Sequence, residues 1–336
     1  MNIAAIVLAG GKGTRMKSAL PKVFHKVCGK SILDRVIETL NSSGVSKIAL
    51  VAGGELNNFE KYHSDKNISI VQQVNRLGTG DAVAAATLAF QGTELPSYCK
   101  SNLIFGEKIN SDYVLITAAD TPAISKDVIR DFIDTSIKNN ASLSVVGIKL
   151  PNPFGYGRLV QDKEGKLEKI VEEKDADNEQ KLIQLCNSGV ILAKTELLFS
   201  LISKITNDNA QKEYYLTDCF ELAKKDGESV EIYQTDEYYS FFGVNNRSQL
   251  AKAEEVILNQ NRERVMAEGV SLKMPNTCYI EDEVHVGSDT TIHGNCYLAG
   301  NTTIGSDCII EPNVVLINAK IDNGQHIEAG YREVNK

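Results

Sequence analysis

The stretch LAGGKGTRM, residues 8–16, places Gly10, Gly11 and Gly13 in one short segment with Lys12 and Arg15, and Lys22 follows just after Leu20-Pro21. Glycines let backbone N–H groups approach phosphate oxygens with no Cβ in the way. Nearby cations then neutralise the phosphate charge. Residue types and spacing thus point to a loop that cradles a phosphate chain. Two familiar phosphate loops do not fit. The pattern GxxxxGK[ST] is absent, and a dinucleotide GxGxxG would need glycine where Met16 stands. A Gly-rich turn with solvent-facing cations is the alternative for this segment taken alone.

The loop follows an apolar run, Ile3 to Leu8, that reads as a buried strand. Further strands are expected at Lys47–Val51, Ser69–Val74 and Tyr113–Thr117, and helices at Ile32–Leu40, Asp81–Phe90 and Lys126–Lys138. The Asp81–Phe90 helix is nearly all Ala and apolar, which predicts burial on most sides. Strand–helix alternation implies an α/β fold with a largely parallel sheet. In such sheets a ligand sits at the carboxyl ends of the strands. Ser248–Glu268 has a polar helical pattern, with Leu250, Ala253, Val256, Ile257 and Val265 on one stripe and Ser248 as its expected cap.

After Gly269 the period changes. Ile280, Val286, Ile292, Leu298, Ile304, Ile310 and Leu316 recur every six residues. The position two before each is small or medium: Cys278, Val284, Thr290, Cys296, Thr302, Cys308 and Val314. This hexapeptide repeat is the signature of a parallel β-helix, each aliphatic residue pointing inward. Three hexads make one coil, so Cys278 and Cys296 should stack one coil apart as interior packing. The repeat from Ile280 to Ile327 holds fewer than three coils, with a register break after Leu316. So short an array is expected to pack against other chains.

Composition narrows the function classes. A length of 336 residues fits about two domains of ~150 residues each. The net charge of -8 argues against broad nucleic-acid binding, though not against a small anion met by local Lys and Arg. No run reaches the roughly 18–20 apolar residues of a membrane span, and the start MNIAAIVLAGG lacks a basic leader, which predicts a cytoplasmic chain. Seven scattered cysteines without CxxC fit reduced thiols. Five histidines show no zinc-ligand spacing.

The segment Gly10–Met16 with Pro21-Lys22 resembles the signature of the sugar-1-phosphate nucleotidyltransferases. Further matches follow in order: Gln73 with Leu77-Gly78-Thr79-Gly80, Asp120, Gly155-Tyr156-Gly157-Arg158, Glu172, Asn187-Ser188-Gly189, Glu213 to Asp218, and Gly243 to Arg247. The ordered set resembles the bifunctional N-acetylglucosamine-1-phosphate uridyltransferase / glucosamine-1-phosphate acetyltransferase family. The resemblance implies a Rossmann-like nucleotidyltransferase domain at 1–245, a linker helix at 246–268 and a short left-handed parallel β-helix at 269–330. It implies uridylyl transfer from UTP to N-acetylglucosamine 1-phosphate with Mg²⁺, and a homotrimer built through the β-helix.

By the same resemblance, Arg15, Lys22 and Asp120 are catalytic. Leu8, Ala9, Gly10, Gly11, Lys12, Gly13, Gln73, Gly78 and Thr79 bind the nucleotide. Gly157, Glu172, Asn187, Tyr215 and Thr217 bind the sugar, and Asp120 with Asn245 holds the metal. The Gln73 amide can match the acceptor–donor edge of uracil. No general base is required, because the attacking sugar phosphate is already an anion; fixed positive charge is the main catalytic need.

Three departures from the family pattern stand out. Ala118-Ala119 replace an aromatic residue and glycine before Asp120. Gln91–Asp112 is longer than the family connection, and is expected as a surface excursion, or as a lid or subunit contact. The chain ends where the family continues through further coils, which predicts a form truncated to the uridyltransferase part, without acetyltransferase activity. The alternatives are the same chemistry on another amino-sugar 1-phosphate, or a regulatory protein that binds UTP or a UDP-sugar without turnover.

Overall fold

A computed structural model describes residues 1–54 and 56–336. In chain order the first part contains β1 (Ile3–Ala9), a hairpin of β2 (Lys26–Val27) and β3 (Lys30–Ser31), α1 (Ile32–Ser42), β4 (Lys47–Ala52), β5 (Ile68–Gln73) and α2 (Thr79–Ala86). Next come β6 (Ser101–Phe105), β7 (Tyr113–Ala118), α3 (Lys126–Lys138), β8 (Leu143–Lys149), β9 (Arg158–Gln161) and β10 (Leu167–Val171). They are followed by β11 (Leu185–Lys194), α4 (Thr195–Ile202), α5 (Asp218–Lys225), β12 (Val230–Thr235) and α6 (Arg247–Ala267).

The chain divides into two compact units, Met1–Val23 with Leu33–Gly243, and Phe24–Ile32 with Val244–Lys336. The first unit is a Rossmann-like α/β fold on a ten-stranded sheet. Its centre, β7-β1-β4-β5, is parallel. These strands are buried on both faces, with Ala4, Ala5, Ile6 and Val7 fully covered, so they read as unbroken apolar runs. The flanks are less parallel than the alternation implies: β11 runs antiparallel to both β7 and β8, and β6 antiparallel to β5.

The long 91–112 connection is therefore more than a loop. It adds β6 as an edge strand, anchors Cys99 and Ile109 in the core, and leaves Leu103 and Ile104 partly exposed. Helix α2 is buried from Gly80 to Ala86, as its composition requires.

The second unit is a left-handed parallel β-helix with α6 and the β2–β3 hairpin. Eleven short strands from Ser271–Leu272 to Arg332–Val334 form three faces of four, four and three strands. The array thus extends beyond Ile280 and Ile327 at both ends. All seven inward aliphatic residues, Ile280 through Leu316, are buried, as are the small residues two before them. Tyr279 pairs with Tyr297, and the Tyr279 N–H donates to the Cys296 carbonyl (2.9 Å), so Cys278 and Cys296 do stack one coil apart. The register break is also found. Thr291 pairs with Ile309, eighteen residues on, whereas Thr303 pairs with Lys320, seventeen on.

Helix α6 spans nearly the expected range, but its cap is Asn246, whose side chain accepts from Gln249 N–H (2.9 Å), and not Ser248. Its buried face includes Asn261 and Arg262 beside Ala253, Ile257, Leu258 and Val265. Asn261 donates to the Ile280 carbonyl and Arg262 Nε to the Cys278 carbonyl, each at 2.9 Å. The helix read as a linker is thus bonded into the β-helix unit. Among the described residues no helix is long and apolar enough to cross a membrane.

Candidate active site

Three loops leave the carboxyl ends of the parallel strands of the first unit: residues 10–16 after β1, 74–78 after β5 and 119–121 after β7. They line a cavity of about 420 Å³. Leu8, Ala9, Gly10, Gly11 and Lys12 enter it from the first loop, Gln73, Gly78 and Thr79 from the second, and Asp120 from the third, with Lys22 beside them. Ten residues expected at the nucleotide or the reaction centre therefore meet at one place. Ala118 also lines the cavity, whereas Ala119 is buried and donates its N–H to the Leu8 carbonyl (3.0 Å).

Gly13 and Arg15 do not line it. Gly13 has φ +59° and turns the chain where a Cβ would meet Lys22 Cβ at 2.8 Å, so it seats Lys22. Arg15 is exposed on the following single helical turn.

Lys22 Nζ and Asp120 Oδ2 form an ion pair in which both groups are largely buried. The other carboxylate oxygen, Oδ1, lies 3.3 Å from where a Cβ on Gly243 would stand, so a side chain there would crowd the carboxylate. Among the described residues no cluster of three or more His, Cys, Asp or Glu is arranged for a metal. A single hard carboxylate beside a glycine- and lysine-bearing loop suits Mg²⁺ carried on phosphate groups, since that ion keeps most of its ligands as water and phosphate. Asn245 belongs to the second unit, where its backbone N–H donates to Gln249 Oε1 (2.8 Å).

Gly78 needs its φ of +117°, and a Cβ there would lie 2.5 Å from the Tyr214 carbonyl. The close approach zips the 74–80 loop to residues 213–217. Tyr214 N–H donates to the Leu77 carbonyl (2.7 Å), Gly80 N–H to the Tyr214 carbonyl (2.8 Å), and Leu216 N–H to Thr79 Oγ1 (3.1 Å). The Thr79 hydroxyl, expected at the nucleotide, thus already ties the two segments. Tyr214 stacks on Tyr98 with ring centroids 3.9 Å apart.

The residues expected at the sugar form a second group. Asn187 N–H donates to the Gly157 carbonyl (2.8 Å), and its Oδ1 accepts from Gly189 N–H (2.8 Å). Thr217 Oγ1 donates to Glu172 Oε1 (3.0 Å), and Glu172 Oε2 faces Gly157. Burial holds the Glu172 carboxyl above the usual carboxylate range, against the opposing Thr217 hydrogen bond. Asp218 is pushed up to about 6, by burial first and then by Glu172, Glu221 and Asp175. Tyr215 is buried and its hydroxyl accepts from Gln211 (2.9 Å), while burial pushes that hydroxyl up to about 12.

Three contributors had no role assigned from the sequence, although Arg158 stood within the Gly155–Arg158 match. Arg158 is almost fully buried, and its Nη2 meets Glu173 Oε2 at 2.7 Å; the same oxygen accepts from Gly155 N–H (3.1 Å), which fixes the turn before Gly157. Arg76 lines the cavity from a left-handed position (φ 52°). Asp81, wholly buried at the start of α2, accepts from Gln73 Nε2 at 2.7 Å and from Leu77 N–H at 3.0 Å through one oxygen. The eight-residue offset from Gln73 to Asp81, across a glycine turn into a helix, was the available signal.

Comparison with known proteins agrees with this architecture. Residues 5–181 match the MobA-like NTP transferase domain, and residues 283–318 match the bacterial transferase hexapeptide (six repeats). The chain is 37% identical to the bifunctional protein GlmU of Clostridioides difficile over 98% of its own length and 67% of that protein. It is 39% identical to the protein of that name from Lactococcus lactis over 86% of its length and 59% of the relative. The chain thus spans about three fifths to two thirds of the length of these relatives. A crystal structure of UDP-glucose pyrophosphorylase complexed with UDP-glucose shares the fold, with TM-score 0.59 and 16% identity, over 77% of this chain and all of that one.

Proposed function

The chain belongs to the family of the bifunctional GlmU proteins, and on that premise we propose that it transfers a uridylyl group from UTP to N-acetylglucosamine 1-phosphate, releasing pyrophosphate. The observation that carries this reading is the single cavity in which a glycine loop, two lysines, a carboxylate and the Gln73 amide converge. The sugar phosphate attacks the α-phosphorus as an anion, so the protein's task is to bring two polyanions together. Backbone N–H groups at Gly10 and Gly11 line the phosphate path, and Lys12 and Lys22 stabilise charge on the leaving pyrophosphate. Asp120 would hold Mg²⁺, which supplies neutralisation of the triphosphate charge. Arg15, exposed on the same loop, adds positive charge at the rim. Glu172, Asn187, Gly157 and Thr217 form the sugar side, where carboxylate and amide oxygens accept from hydroxyls.

A second reading, the same transfer onto another amino-sugar 1-phosphate, is favoured by one observation: Ala118 presents a methyl group to the cavity where the family has an aromatic residue. Pyrophosphate release with UTP and Mg²⁺, across N-acetylglucosamine, N-acetylgalactosamine, glucosamine and glucose 1-phosphates, tests both. Fastest release with N-acetylglucosamine 1-phosphate is expected. Fastest release with another sugar selects the second reading, and silence with all four contradicts both. The reading concerns uridylyl transfer alone. The hexapeptide repeats suggest self-association, which we read as a homotrimer.

A further inference from the structure

Gln73 is a group with two faces: its oxygen accepts and its nitrogen donates, and the two can exchange places by rotation of the amide. A base-reading glutamine that rotates freely accommodates uracil, whose N3 donates, and cytosine, whose N3 accepts. In this chain the amide is not free. Nε2 points to Asp81 Oδ2 at 2.7 Å in a wholly buried contact, and the Gly78 carbonyl lies 3.3 Å away on the same nitrogen. Both neighbours accept here: Asp81 Oδ2 also takes the Leu77 N–H at 3.0 Å, and a carbonyl has no proton to give. Rotating the amide would set Oε1 against two acceptors in the buried interior, where such a clash is costly. The opposite edge of the amide is thereby determined. Oε1 faces Gly10, where a Cβ would stand only 2.7 Å from it, at the wall of the 420 Å³ cavity.

We propose that Asp81 is a positioning residue that locks the Gln73 carboxamide with its oxygen toward the cavity, and so restricts the site to bases that present an N–H donor at this point. Uracil and thymine meet that requirement, and cytosine does not. The Asp81 carboxylate is held by two donors on one oxygen, the Gln73 amide and the Leu77 N–H. The inference rests on the reading of the cavity as a nucleoside-triphosphate site.

The test compares UTP with CTP in the full chain, by kcat/KM for pyrophosphate release and by calorimetric affinity without the sugar phosphate. The wild type is expected to favour UTP by about 10²-fold or more, because the wrong base strands a buried acceptor. Asp81→Leu, close to the same volume but unable to accept, should bring the ratio down at least tenfold, with most of the change as better CTP use. Asp81→Asn, which can keep an oxygen at the Oδ2 position, should restore the wild-type ratio. Should Asp81→Leu not fold, as judged by its melting transition, Asp81→Ala within the Ala-rich helix carries the same expectation. A folded Leu or Ala variant with the wild-type ratio overturns the lock, as does a wild type that binds UTP and CTP equally. If UTP is preferred in calorimetry, and Asp81→Leu abolishes that preference, while no sugar phosphate yields pyrophosphate, the lock stands and uridylyl transfer falls. If neither nucleotide binds, both fall.

Discussion

At the scale of single residues, the account turns on Asp120 and on the acidic wall of the sugar side. Asp120→Asn keeps the volume and removes the charge, so turnover should fall about 10²–10³-fold while the chain still folds. Near-normal rates at saturating Mg²⁺ would remove Asp120 from the reaction. Asp218 makes a separate, thermodynamic prediction. Its folded pKa is raised to about 6 from 3.8, mainly by burial, so the folded state holds its proton more tightly than the unfolded chain. Its contribution to stability is therefore full below pH 3.8 and is lost as pH rises through 6. Asp218→Asn should gain stability relative to the wild type across pH 4–6 and reach a plateau of about 1 kcal/mol at pH 8, after allowance for solvent screening of a partly exposed group. Parallel melting curves of the two proteins across this range would contradict it. That the glycine–lysine loop would line a cavity was legible because glycine and lysine at that spacing have few other uses. The partners of Asp81 and Arg158 were not, because an acidic residue in an Ala-rich helix and an arginine in a strand reveal them only when folding brings Gln73 and Glu173 beside them.

At the scale of elements, hydrophobic period decided what could be read. The parallel centre and the hexads carry their burial in sequence as unbroken apolar runs and a strict six-residue repeat. The antiparallel pairing of β11 with β7 and β8 rests on long-range contacts that no local pattern encodes. Strand β6 was missed for a related reason. An edge strand buries one side only, and Ser101 and Asn102 spend their side chains on Gln72, giving the segment a loop-like composition. Helix α6 shows the limit of stripe reading most clearly. Its buried face includes Arg262, which donates to the carbonyls of Cys278 and Asn276 and to the side chains of Glu255 and Asn259. Arg262→Ala strands those carbonyls in the interior and should cost about 3 kcal/mol in urea unfolding. Lysine lacks the planar fork and should not rescue it. A loss below about 0.5 kcal/mol would show that the helix is held by apolar packing alone.

At the scale of the whole molecule, a chain of net charge -8 concentrates Lys12 and Lys22 where it proposes to bind polyanions, so local field outweighs global sign. Raising ionic strength should therefore weaken UTP binding even though the protein as a whole repels it. The β-helix unit presents Tyr297 and Ile309 at its surface, 37% and 42% exposed, on separate faces of so short an array. Light scattering should return three times the 36.8 kDa chain mass, and a single chain mass would refute the trimer. The most direct test of the central claim is ³¹P NMR of the full chain with Mg²⁺, UTP and N-acetylglucosamine 1-phosphate. The account predicts that triphosphate and sugar-phosphate signals decay together while pyrophosphate and a new diphosphodiester appear in equal amounts. Unchanged triphosphate signals with this and every other sugar 1-phosphate would contradict it.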